Sequence, residues 1–332
     1  MLTIYPWHTE NWNHIQSSWK NDRLPHALLL TGPDGIGINH FSTCLAYKLL
    51  CENRDDTTIA CGTCKSCHLL MAGSHPDLLC IEPEEEGKQI KVDQIRNLIN
   101  FINLKSQYGR YQIVIIAPAE NMNRSTANTL LKTLEEPPPQ SLIMLLSHRP
   151  ALLPVTIRSR CQQLKFNPTY SAATLTWLSN EINDTDKAKE LLVEARGAPL
   201  AAIALNENDI LVQKQTILDD LCQLQDQSCD PVEIAGRWNK FNAISALKLL
   251  LELLNSMTKI KLAINSGTPE MNEQSEVLQR LANRLDLRKI LQYYELVLKN
   301  YSLAASNISY NTQGLLEDII VFWQQLDNQH GD

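Results

Sequence analysis

No stretch of the 332-residue chain approaches the roughly 18 consecutive apolar residues of a membrane span, and the amino terminus, Met1-Leu2-Thr3-Ile4-Tyr5-Pro6-Trp7, lacks the charged start and apolar block of an export signal. A soluble, unexported, cytoplasmic protein with no membrane contact is expected. Internal repeats and low-complexity segments are missing as well. With 44% hydrophobic and 20% charged residues the composition is that of an ordinary globular chain, long enough for two or three domains. An excess of positive charge is missing too: 30 Lys and Arg stand against 37 Asp and Glu, a net charge of −7 at pH 7. That argues against nucleic-acid binding through a global field, which needs many Lys and Arg facing phosphates, and leaves room only for a local basic patch.

What is present divides the chain. The first half alternates short apolar runs with helical patterns, the signature of a parallel sheet covered by helices. Strands are expected at Ala27 to Thr31, Leu78 to Ile81, Ile113 to Ala117 and Leu142 to Ser147. Helices are expected at Ile38 to Leu50, Val92 to Leu104 and Arg124 to Glu136. The last has Asn123 or Ser125 as its cap and is stopped by Pro137-Pro138-Pro139. Beyond Phe166 the pattern is helical throughout. A short group (Ser171 to Asn180, Asp186 to Arg196, Pro199 to Leu205) leads to an Asn206-Glu207-Asn208 linker. Longer amphipathic segments follow at Ile210 to Gln225, Ala243 to Ile264, Ser275 to Leu285, Arg288 to Ala304 and Gln313 to Leu326, with a break at Gly267-Thr268-Pro269. The expected plan is an α/β domain over 1–166, a small helical domain over 167–207 and a larger helical domain over 208–332.

The first strand runs into Gly32-Pro33-Asp34-Gly35-Ile36-Gly37-Ile38-Asn39. In a working phosphate loop, GxxxxGK[ST], glycines let backbone N–H groups approach the phosphates, the Lys neutralises charge and the hydroxyl ligates magnesium. Gly32 and Gly37 keep the frame, with Gly35 in the loop between them, but Ile38 and Asn39 stand where the Lys and the hydroxyl belong. A ligand-free turn that uses glycine for unusual dihedrals is therefore the favoured reading. The second half of such a site is a strand ending in acids that hold magnesium. Here the strand ends in Ala117-Pro118, and Glu120 comes two residues too late.

Nine cysteines in an unexported chain favour reduced thiols over disulfides. Cys51, Cys61, Cys64 and Cys67 make a complete set of four thiolates for a closed structural zinc site, a knuckle over 51–67. His68 or His75 in place of one cysteine, an iron–sulfur cluster and unligated thiols are the alternatives. The remaining cysteines, Cys44, Cys80, Cys161, Cys222 and Cys229, read as small buried hydrophobes.

Several motifs occur together: Arg23-Leu24-Pro25-His26-Ala27-Leu28-Leu29, the cysteine knuckle, Gly73-Ser74-His75-Pro76-Asp77, the run Asn128 to Pro138 and Ser159-Arg160-Cys161. With them the chain resembles the clamp-loader family of AAA+ proteins, strongly over its first ~205 residues and more loosely beyond. The resemblance implies an α/β AAA+ domain with a RecA-like sheet, a small helical lid and an all-α collar. It also implies a subunit of a hetero-pentamer, with motor subunits and a clamp-opening subunit as neighbours and the sliding clamp and primed DNA reached through the assembly. Motor subunits of the family carry Lys-Thr in the phosphate loop, Asp-Glu at the strand end and an Arg in the lid. Here Ile38 and Asn39, Ala117 and Pro118, and Leu200 occupy those positions, so no ATP bound at its own site and no intrinsic ATPase are expected.

By the same resemblance, Arg160 of the Ser-Arg-Cys motif is an arginine finger directed in trans at ATP held by a neighbour, with Ser159 in support. Such a guanidinium stabilises phosphate charge in the transition state. On residue grounds alone a surface salt bridge or a helix cap suits Arg160 as well, and Arg158 is its competitor. Cys161 reads as packing. The helical tail carries no catalytic constellation. Its stripe of Leu247, Leu250, Leu251 and Leu254 reads as core, and Lys259, Lys261, Arg280, Arg284, Arg288 and Lys289 are a solvated face or a DNA-facing patch. The rival readings are an active ATPase with a nonstandard loop and a zinc-stabilised nucleic-acid-binding module.

Overall fold

Short apolar runs separated by helical stretches can bury both faces only in a parallel sheet with helices on each side, and that is how the first half folds. In the computed structural model, which describes residues 2–53, 59–85, 88–108, 111–225, 229–262, 273–304 and 311–328, the strands are β1 (Ala27–Thr31), β2 (Leu78–Ile81), β3 (Gln112–Ile116), β4 (Ser141–Ser147) and β5 (Gln162–Lys165). They form one five-stranded sheet in the order β2-β3-β4-β1-β5, with every pairing parallel. The strand expected to end at Ala117 ends one residue earlier. β5 was not expected: it is an edge strand in which only Leu164 is buried, too little apolar character to read as a strand.

Helix α1 (Thr9–Lys20) precedes β1, and between the strands lie α2 (Ile38–Leu50), α3 (Lys65–Met71), α4 (Val92–Ile102), α5 (Arg124–Glu135) and α6 (Val155–Arg158). Side chains alternate across a strand. Leu28, Leu30, Met144 and Leu146 pack with Trp12, Ile15, Phe41 and Leu45 on one face, while Ala27, Leu29, Ile143 and Leu145 pack with Ile95, Leu98, Leu130 and Leu134 on the other. Each fully buried aliphatic side chain contributes about 1.5–3 kcal/mol relative to exposure, so these two layers fix the strand ends where the loops of interest emerge. Asn123 caps α5, its side chain accepting from the Thr126 N–H at 2.9 Å; Ser125 lies inside the helix.

Three helices follow, α7 (Ala172–Ile182), α8 (Thr185–Glu194) and α9 (Pro199–Glu207). Helix α9 runs through Asn206 and Glu207, so the turn is shorter than expected, Asn208 and Asp209, with Asp209 at a φ of 48°. By contacts the chain divides into two compact units, Met1–Asn206 and Glu207–Asp332.

The second unit is helical: α10 (Ile210–Gln225), α11 (Pro231–Lys240), α12 (Ala243–Lys261), α13 (Glu273–Arg284), α14 (Leu287–Ala304) and α15 (Thr312–Asn328). Trp238, Tyr293 and Trp323 are its largest fully buried side chains, and Leu247, Leu250 and Leu254 are core as the stripe suggested. Leu251 packs at the margin. A buried carboxylate, Asp220, is held by Trp238 Nε1 at 2.8 Å and by Arg237 Nη1 at 2.5 Å, and burial raises its pKa. Helix α11 was not expected from the sequence. The Gly267-Thr268-Pro269 break lies outside the described residues.

Candidate functional site

Helix α2 joins the two features that the sequence sets side by side. Its N-cap is Gly37 and its C-cap is Cys51. At the first end, Gly35 and Gly37 have φ of 76° and 92°, left-handed values that glycine adopts without steric cost. The loop is packed shut. A Cβ on Gly35 would lie 2.5 Å from the Cβ of Ala201, and one on Gly37 would lie 3.2 Å from both Leu200 Cδ1 and a ring carbon of Tyr5 and 3.3 Å from His8. Several of the loop's polar groups also have partners within the chain. The Gly35 N–H donates to Asp34 Oδ1 at 2.9 Å, the Ile36 N–H to Pro33 O at 3.3 Å, and the Leu200 N–H to Gly35 O at 2.9 Å. Trp7 Nε1 and His8 Nε2 both donate to Ile36 O at 2.9 Å.

An aromatic cluster backs this closure. Tyr5 and Trp7 stack at 4.7 Å, and Trp177 of α7 meets both rings edge-on. His8 is buried against Phe41 and Phe166, and burial drops its pKa to about 4. Ile38, at the lysine position, is 1% exposed. Beyond the loop, a cavity of about 440 Å³ at the strand ends is lined by Asn39, Glu82, Ala117, Pro118, Asn121 and His148, among others. Its described lining holds no Lys or Arg. Glu120 is turned to other use: Oε1 accepts the N–H groups of His148 and Arg149 at 3.2 Å each.

At the other end of α2, the Sγ atoms of Cys51, Cys61, Cys64 and Cys67 all lie within 4.8 Å of one another. Cys61 and Cys67 are 3.9 Å apart, close to the ~3.8 Å edge of a tetrahedron with metal–sulfur bonds of about 2.3 Å. The residues present fit a metal ion. Hydrogen bonds to Cys61, chiefly from Thr63, bring its thiol down to about 6, whereas burial pushes Cys51 and Cys67 up. Cys64 also caps α3, accepting the Cys67 N–H.

His75 lies outside this group of four. The Asp77 N–H donates to its Nδ1 at 3.1 Å, so Nε2 carries the proton and donates to Ser66 Oγ at 2.9 Å; Ser66 in turn donates to Leu50 O at 2.7 Å. Asp77 is fully buried and accepts from Ser106 Oγ and from the N–H groups of Gln107 and Tyr108. The Gly-Ser-His-Pro-Asp motif thus ties the knuckle to the end of β2, a role that spacing alone did not suggest.

Arg160 sits in the turn between α6 and β5. Its Nη1 donates to Thr156 O at 3.0 Å and to Ser159 Oγ at 3.4 Å. Nε and Nη2 both donate to Glu135 Oε1, the former at 2.7 Å. So the salt bridge open to Arg160 on residue grounds is made, within the chain. Arg158 is half-buried, its Nε covered and without a hydrogen-bond partner among the described residues. Burial raises the Cys161 thiol to about 12, as suits packing rather than nucleophilic chemistry.

The family model described as "DNA polymerase III, delta subunit" matches residues 7–170, and "DNA polymerase III, delta subunit, C terminal" matches residues 209–325. The DNA polymerase III subunit delta' of Pseudomonas aeruginosa is 33% identical over 98% of this chain and 99% of its own length. The chain belongs to the DNA polymerase III delta prime family. The delta' subunit of Bacillus subtilis is 28% identical over 94% of both chains. Part of the chain, 45%, is also 35% identical to the tau/gamma subunit of Haemophilus influenzae, over 21% of that protein. No helix among the described residues of this delta prime family member is long and apolar enough to cross a membrane.

Proposed function

We propose that this chain is the non-hydrolysing member of a cytoplasmic bacterial clamp loader, in which ATP bound by other subunits drives loading of the sliding clamp onto primed DNA. In this reading it supplies Arg160 in trans to the ATP site of a neighbouring motor subunit, supported by Ser159. The observation that carries the reading is the closed phosphate loop. Phosphate recognition by such a loop needs free backbone N–H groups and positive charge. Gly35 and Ile36 have spent their N–H groups on Asp34 and Pro33, and Ile38 and Leu200 fill positions where cations would stand. Nucleotide chemistry then has to come from a neighbour, and a finger acting in trans needs no nucleotide on its own subunit.

Assembly with other subunits is supported by the second unit, where Leu291 and Leu298 on α14 stay 45% and 43% exposed, seven residues apart and therefore on one face. We take this unit as a collar in a hetero-pentamer with motor subunits and the clamp-opening delta subunit. The limits 1–166, 167–207 and 208–332 would be those of the AAA+ domain, lid and collar. We assign zinc to the four cysteines, because a closed thiolate tetrahedron with no open position suits a structural zinc ion.

Titration of the isolated chain with ATP should give no binding. In the assembled loader, Arg160→Ala should leave the subunits associated while lowering DNA- and clamp-stimulated ATP turnover by roughly tenfold or more. An unchanged rate would remove the finger. Elemental analysis after gentle purification should find near-stoichiometric zinc that is lost in Cys61→Ser; visible absorbance from iron and sulfide would replace the assignment.

A further inference from the structure

Glu135 is the last residue of α5 and Glu136 is its C-cap. Carboxylates at a helix C-terminus face the negative end of the backbone dipole and are disfavoured there, so the placement of Glu135 calls for a compensating interaction. Arg160 supplies it, through Nε and Nη2 on the single oxygen Oε1. The bases of both side chains are fixed by one core: Leu130 and Leu134 of α5 pack in the same cluster as Leu153 and Ile157, with Cys161 at its edge.

A guanidinium has a side edge, Nε and Nη2, and a terminal edge, Nη1 and Nη2, each able to grip a two-oxygen acceptor. Glu135 holds the side edge. Beyond that edge, Nη1 donates to Thr156 O at 3.0 Å and to Ser159 Oγ at 3.4 Å, the second long enough to be exchanged, and Nη2 has no second acceptor among the described residues. Arg160 and Glu135 side chains are 34% and 50% exposed, so solvent screens much of the carboxylate's opposition to an incoming anion. Its restriction of a long, many-rotamer side chain is not screened.

Resting on the reading of Arg160 as a finger, we propose that Glu135 is a positioning residue, which holds the side edge of the Arg160 guanidinium so that its terminal edge faces the phosphate of a neighbouring subunit. The test uses the assembled loader with wild-type, Glu135→Ala, Glu135→Gln, Arg160→Ala and double-variant chains, read by DNA- and clamp-stimulated ATP turnover. Glu135→Ala should lower kcat about threefold to tenfold with KM for ATP unchanged. Glu135→Gln, which keeps shape and one acceptor but no charge, should fall between. The double variant should be no slower than Arg160→Ala alone, since Glu135 acts only through that side chain. If Arg160→Ala is slow and Glu135→Ala is not, the finger stands and the positioning role falls. A faster Glu135→Ala loader would make the pair a brake, and an equal loss in the Arg160→Ala background would make Glu135 structural; either overturns the proposal. A normal Arg160→Ala rate removes both readings together.

Discussion

Two turns at neighbouring strands of one sheet have met opposite fates. The loop from Gly32 to Gly37 leaves β1, and the turn from Thr156 to Cys161 enters β5, which pairs with β1. The first is filled by the chain's own Tyr5, His8, Leu200 and Ala201; the second keeps a half-exposed guanidinium at its tip. The difference follows from what each turn would have to do. A phosphate loop without a phosphate leaves polar groups and concave surface that cost free energy unless the protein covers them. A cation that acts on another molecule, as proposed for Arg160, would have to stay partly uncovered. Stability should therefore reside in the first turn and function in the second.

The comparison breaks most decisively at Ile38. Restoring the lysine of a phosphate loop by Ile38→Lys puts an ammonium where the native side chain is 1% exposed, with Ile36 and Phe41 in the same cluster. A loss of about 3 kcal/mol or more is expected, read as a lowered thermal midpoint, and ATP titration should still show no binding. Nucleotide affinity gained without loss of stability would mean that the loop is only nominally closed.

A smaller effect should appear in acid. His8 is held neutral by burial, at about 4 against an ordinary 6.5. Because the unfolded chain takes up this proton first, stability is fully present above pH 6.5 and is lost as pH falls from 6.5 toward 4, by at most about 3 kcal/mol. His8→Gln keeps a donor for Ile36 O and cannot titrate, so its stability-against-pH curve should be flatter across that window. Parallel curves would show that His8 does not sense closure.

Most of this was legible in the sequence where one physical signal dominated. β1, β3 and β4 are buried along their whole length, and such runs announce themselves. The cysteine spacing is similarly explicit, and the structure brings all four sulfurs together. β5 was not legible because an edge strand such as Gln162-Gln163-Leu164-Lys165 needs little apolar content. Nor was the plug: the substitution at Leu200 could be read as a lost cation, but its approach to Gly37 depends on α9 folding back over the loop. Glu135 gave a signal that could have been used, an acid at the wrong end of a helix whose stop was marked by Pro137.

The finest test of the contrast is the stability of Arg160→Ala in the isolated chain. The variant removes the ion pair with Glu135 and the bonds to Thr156 O and Ser159 Oγ. Both charged partners reach water, so the pair is of the exposed kind that contributes about 0–1 kcal/mol. The lost bond to Thr156 O leaves a carbonyl that solvent can satisfy, since Thr156 is itself exposed. A shift in thermal midpoint of no more than about 2–4 °C is expected for a unit of this size. If Arg160→Ala instead melted well below the wild type, the guanidinium would be holding α5 to the β5 turn, and a slow loader carrying it would say nothing about catalysis in trans. A near-unchanged midpoint beside a large loss of stimulated turnover would separate the turns as argued: one holds the fold together, the other acts outside it.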